Sequence, residues 1–168
     1  MERIKQASVD SDNRTYYGID NGVTGGITIL SSMTCLYHDK TPVKNCLNYT
    51  KVKAFINRVD TDKMANILVG YTNPFCFIER PMVHPGRFKA TISAIRCLEA
   101  TEIILEQLQI PYQFIDSKEW QKALLPSGLQ KEELKRAAES VAKRLFPNLN
   151  IVNADSVLIA EYCRRMKK

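Results

Sequence analysis

The sequence has no apolar run long enough to cross a bilayer, and its opening Met1-Glu2-Arg3-Ile4-Lys5 does not form a signal-peptide pattern. The expectation is a protein that stays in the cytosol. Its five cysteines, Cys35, Cys46, Cys76, Cys97 and Cys163, are odd in number, widely spaced and without the paired spacing of a metal site. That disfavours disulfides and a zinc centre, and predicts reduced thiols. No internal repeat and no linker-like stretch divides the 168 residues. One folded domain is expected, long enough to bury an ordinary core without staples. Acidic residues are outnumbered 18 to 24 by basic ones, a formal net charge of +6. This favours a polyanionic partner, although net charge speaks to association and solubility and not to fold.

What is present centres on Tyr16-Tyr17-Gly18-Ile19-Asp20-Asn21-Gly22-Val23-Thr24-Gly25-Gly26-Ile27-Thr28-Ile29-Leu30. Two β-prone runs joined by a glycine-rich turn predict a hairpin, with Asp20 at the tip of its first strand. Asp20 there either starts the turn or points a carboxylate past the sheet edge. Before the hairpin, residues 1–15 are polar and predict a flexible arm, leaving 16–168 as the domain. Cys35-Leu36-Tyr37-His38 predicts a third strand, and Asp39 to Tyr49 a loop. From Lys51 to Leu68, apolar residues at roughly helical spacing predict one interrupted helix or two short ones. Phe75-Cys76-Phe77-Ile78 is a buried strand ending in Glu79, followed by an exposed basic loop from Met82 to Lys89.

Ala90 to Gln109 predicts a long helix whose stripe, Ala94, Cys97, Leu98, Thr101, Ile104, Leu105 and Leu108, is either core or a subunit interface. Tyr112-Gln113-Phe114-Ile115 is the fifth strand. Asp116 or Ser117 caps a short helix, Lys131 to Phe146 is amphipathic, and Asp155 to Met166 is the last helix. The whole predicts an α/β fold, a mixed five-stranded sheet flanked by helices.

Asp20 and Glu79 end two buried strands, and Asp155 opens the last helix. If those strands are adjacent, three carboxylates gather at one edge. Without a counter-ion they would repel and protonate, whereas Mg²⁺ held by their oxygens makes the cluster favourable. Two such ions support in-line attack of water on a phosphodiester. For Asp155 alone, favourable placement at a helix N-terminus is a sufficient explanation.

Several short motifs, in order, resemble the RuvC-type Holliday junction resolvases, especially bacteriophage versions. They are Gly18-Ile19-Asp20-Asn21-Gly22 with Gly25, Ile78-Glu79-Arg80-Pro81, Trp120-Gln121-Lys122, Arg144-Leu145-Phe146-Pro147, and Ala154-Asp155 through Glu161-Tyr162. The resemblance spans about Tyr16 to Arg165. It implies an RNase H-like fold, a homodimer on four-way or otherwise branched DNA, and Mg²⁺- or Mn²⁺-dependent nicking in recombination and repair. For a phage-encoded chain the place would be the bacterial host cytoplasm. It also implies a four-acid metal site, of which Asp20, Glu79 and Asp155 match three. The fourth acid is missing, and Asn153, the nearest polar residue, brings an oxygen without a charge.

Arg87, Lys89, Lys118, Lys122, Lys131, Lys135 and Arg136 are the candidate DNA-contacting cations, each of which singly reads as an ordinary solvated charge. Phe88 reads either as a base-stacking wedge or as a helix-start staple. Two other functions are compatible with the same residues. One is a junction-binding protein whose site is weakened by Asn153. The other is a phosphate-loop ATPase of the sugar-kinase and actin class, which Gly-Ile-Asp-x-Gly-x-Thr-Gly also resembles, though one chain of this length leaves no room for that class's second domain.

Overall fold

The computed structural model describes residues 13–167. Strands β1 (Thr15–Asp20), β2 (Gly26–Leu30) and β3 (Cys35–Lys40) form an antiparallel meander; β4 (Val43–Leu47) and β5 (Phe55–Val59) form a separate hairpin; α1 (Thr61–Leu68) follows. Then come β6 (Pro74–Glu79), α2 (Phe88–Gln107), β7 (Tyr112–Ile115), α3 (Ser117–Leu124), α4 (Lys131–Leu145) and α5 (Ala154–Met166). The main sheet has the order β3-β2-β1-β6-β7, with β6 parallel to β1 and β7 parallel to β6. This is the mixed five-stranded sheet expected, with the first and fourth of its strands side by side.

Alternation along the strands sorts side chains into two cores. Tyr16 and Phe77 pack with Trp120, Ala138 and the buried face of α5 on one side. Tyr17, Ile19, Cys76 and Ile78 pack with Met64, Cys97 and Leu105 of α1 and α2 on the other. Gly18 lets α5 lie directly on β1, because a Cβ there would fall 2.2 Å from the Ala160 backbone nitrogen. All five cysteines are free thiols. No helix among the described residues is long and apolar enough to cross a membrane.

Three expectations need correction. The Asp39 to Tyr49 stretch, expected as a loop, contains β4, and the first half of Lys51 to Leu68 holds β5; only Thr61–Leu68 is helical. In Phe55-Ile56-Asn57-Arg58-Val59 the apolar residues do not alternate cleanly, so the stretch blends with the helical spacing beyond it. Asp60 separates the two, accepting from the Lys63 backbone N–H at 3.3 Å as an N-cap. The basic loop is shorter than expected, since α2 begins at Phe88 after a 3₁₀ turn, Pro85–Arg87. The α2 stripe is core, with Cys97, Thr101, Ile104 and Leu105 buried within the chain itself. Of the two readings of that stripe, core describes these four residues. Most of the proposed N-terminal arm lies outside the described residues; its last residue, Thr15, is the buried first residue of β1.

Candidate active site

In the parallel ladder of β1 and β6, Ile19 pairs with Ile78, so Asp20 and Glu79 occupy the next step along neighbouring strands. Ile19 and Ile78 face the α1/α2 core. Alternation therefore turns both carboxylates toward the α5 side. Opposite Asp20 on β2 stands Gly26. A Cβ at Gly26 would lie 2.6 Å from the Asn153 Cβ, so only glycine leaves room for Asn153. Asn153 is the N-cap of α5: its Oδ1 accepts from the Ser156 N–H at 2.7 Å, while its Nδ2 donates to Asp20 Oδ2, also at 2.7 Å. Asp155 sits in the first turn of the same helix.

The three carboxyls act on one another. Burial, then the charges of Asp20 and Asp155, push Glu79 up to about 8. Burial and Asp20 raise Asp155 to about 6, against a smaller pull from Lys135. Asp20 is raised by burial and held back by the Asn153 amide. Buried Glu161 makes the contrast, since Arg164 and Arg165 both pair with it. No ion pair among the described residues neutralises Asp20, Glu79 or Asp155.

An all-oxygen, uncompensated acidic set has the chemistry that hard divalent cations such as Mg²⁺ or Mn²⁺ prefer. Among the described residues, however, no three His, Cys, Asp or Glu side chains converge tightly enough to enclose an ion as they stand. Asn153 turns its amide N–H to Asp20 and points its oxygen at the helix cap, so its amide nitrogen and not its oxygen faces Asp20. The site is thus an electrostatic fit for a dication whose closure requires carboxylate movement.

Two supporting residues were not candidate site residues from the sequence, although Trp120 belongs to one of the motifs that carry the resemblance. His38 Nε2 accepts the Val152 N–H at 3.0 Å and the Asn153 N–H at 3.4 Å. Burial lowers its pKa, favouring the neutral ring. With Nε2 accepting, Nδ1–H donates to Thr28 Oγ1 at 2.8 Å; Thr28 donates to Ser156 Oγ at 2.9 Å, and Ser156 to the Asn153 carbonyl at 3.1 Å. This relay ties β3, β2 and the start of α5 together around Asn153. Trp120 is the second. Its buried Nε1 makes no hydrogen bond of ordinary geometry, yet the indole N–H lies near enough to Glu79 to offset part of that carboxyl's rise.

His38→Ala would strand the Val152 N–H and interrupt the relay. Urea unfolding is expected to show a loss of about 1–3 kcal/mol. A change within experimental error would mean that water replaces the ring without cost.

The candidate DNA-contacting residues are all exposed: Arg87, Phe88 and Lys89 at the start of α2, Lys118 and Lys122 on α3, and Lys131, Lys135 and Arg136 on α4. Of these, only Lys135 acts on an acid of the cluster. Phe88 is 71% exposed, which does not suit a helix staple.

No protein-family model and no curated protein matches the sequence. Among solved structures, the chain resembles T. thermophilus RuvC in complex with Holliday junction substrate, with a TM-score of 0.63 and 11% identity over 90% of this chain and 96% of that one. A second Thermus thermophilus RuvC structure gives a TM-score of 0.57 and 13% identity over 91% and 96% of the two chains. The chain therefore shares the RNase H-like fold of these RuvC structures.

Proposed function

We propose that this chain is a structure-selective endonuclease that binds four-way and other branched DNA and nicks its phosphodiesters with divalent metal ions. The observation that carries the reading is the Asp20–Glu79 step on adjacent parallel strands, joined electrostatically by Asp155 and left without a basic partner. The resemblance to RuvC over nine-tenths of the chain supports it.

In this reading Asp20, Glu79 and Asp155 hold the ions. When bound, Mg²⁺ or Mn²⁺ supplies activation of water and stabilisation of the leaving oxygen. The chain's own residues orient the acids and the DNA. The Asn153 amide fixes one oxygen of Asp20, the Trp120 indole N–H faces Glu79, and the cations of α2, α3 and α4 take phosphates. A dimer would place two such sites for paired nicks. On α2, Ile92, Ile95 and Ile103 are exposed apolar residues that could serve such pairing.

The Asn153–Asp20 hydrogen bond favours a second reading, a junction-binding protein that cuts slowly, because the amide adds no charge and turns its N–H, not its oxygen, to Asp20. Incubation of a labelled four-way junction with the protein and Mn²⁺, beside Asp20→Asn, separates the two. Nicks that depend on Asp20 are expected. Binding in the absence of metal should weaken steeply between low and physiological salt, as counterion release requires. Salt-insensitive binding, or no preference over plain duplex, would overturn both readings.

A further inference from the structure

The β4–β5 hairpin contributes no strand to the main sheet, yet it carries apolar side chains that the core does not use. Tyr49 is 87% exposed and Phe55 70%. Its inner side and the first half of α2 enclose a cavity of about 560 Å³, which also reaches Val23 in the turn that follows Asp20. That is within the roughly 300–1,000 Å³ typical of pockets for small ligands. Tyr49 and Phe88 provide aromatic surface, and Arg58, Lys89 and Arg96 provide positive charge. No carboxylate lines it, and none of these three cations makes an ion pair among the described residues. Asn48 and Asn57 add amides able to donate and accept.

We propose that this cavity receives one unpaired nucleotide of the DNA substrate, with the base against Tyr49 and Phe88 and its phosphate held by Arg58, Lys89 and Arg96. The proposal rests on the nuclease reading and adds a base-capturing site to it. A phosphate alone would leave the aromatic walls unexplained, and an apolar ligand alone would leave three cations unpaired. An unpaired nucleotide satisfies both. Double-stranded DNA does not, because its bases are stacked and paired. The tether between cavity and acids is short in the chain: Val23 lies three residues beyond Asp20, and the Asn21 side chain holds this turn to α2 by donating to the Ala94 carbonyl at 3.1 Å.

The test compares metal-free binding of an eight-thymidine oligonucleotide with that of an abasic oligonucleotide of equal length and charge. The intact chain is expected to prefer the base-bearing strand on the order of tenfold, since stacking on aromatic side chains is sequence-tolerant and depends on the base. Tyr49→Ala should erase that preference and leave duplex binding unchanged, whereas Tyr49→Trp should keep it and show quenching of the new indole on binding. Because Tyr49 is largely solvent-exposed, neither change threatens folding. Equal binding of the two strands, or a preference surviving in Tyr49→Ala, overturns the proposal. A chain that nicks junctions but shows no base preference would refute the cavity assignment alone. A base preference without nicking supports the cavity while removing the nuclease.

Discussion

Replacing Glu79 by Gln is expected to stabilise the metal-free protein at pH 8 and to abolish nicking. Glu79 is raised from 4.5 to about 8, first by burial and then by Asp20 and Asp155. Between those values the native chain retains a proton that the unfolded chain has released, so stability falls as pH rises through the window and flattens above about pH 8. Asp155 adds a fall in the same direction between 3.8 and about 6. At about 1.4 kcal/mol per pKa unit, the Glu79 shift corresponds to a decline of about 5 kcal/mol and the Asp155 shift to about 3 kcal/mol. Gln keeps the shape and removes the charge. The unfolding midpoint in EDTA should therefore become nearly independent of pH above 6, while that of the unaltered chain keeps falling. Nicking should drop by more than the roughly 10–100-fold that loss of a ligand's outer support costs. If Glu79→Gln instead destabilises the chain at pH 8, the carboxylate is paired in a way this geometry does not contain.

Asn153→Asp carries the second large effect, and its sign depends on metal. Asp caps a helix as well as Asn does, so the bond to the Ser156 N–H survives. The bond to Asp20 does not. A carboxylate 2.7 Å from Asp20 Oδ2 replaces an attraction with a repulsion in a partly buried place. The metal-free variant is expected to lose about 1–3 kcal/mol, the range for a buried polar group deprived of its partner. Saturating Mn²⁺ should restore the loss, giving the variant a larger metal-induced rise in melting temperature than the unaltered chain, together with faster nicking. Melting curves with EDTA and with Mn²⁺, run beside a junction time course, read both effects. Equal nicking rates would show that three acids suffice. A variant that is destabilised and not rescued by metal would show that position 153 does not reach the ion.

The local pattern of residues determined much of this protein. Hairpin chemistry at 16–30, the buried run at 75–78 and the helical stripe of α2 are each written in a few adjacent side chains, because propensity, alternation and periodicity are short-range properties. The three acids were legible for the same reason, as carboxylates that interrupt or follow apolar runs. The hairpin β4–β5 was less legible. Its strands pair only with each other and stay largely exposed, so neither face carries a clean apolar alternation. What only the tertiary structure decided is how the parts meet. The register of β1 against β6 turns Asp20 and Glu79 to one face, and Gly26 makes the gap that Asn153 fills. His38 reaches the start of α5 from 114 residues away in the chain. The fate of the α2 stripe was likewise decided there, since an apolar face looks the same in sequence whether it covers its own sheet or a partner. Burial and charge proximity, which set the behaviour of the acids, depend on distances between segments that no local pattern encodes.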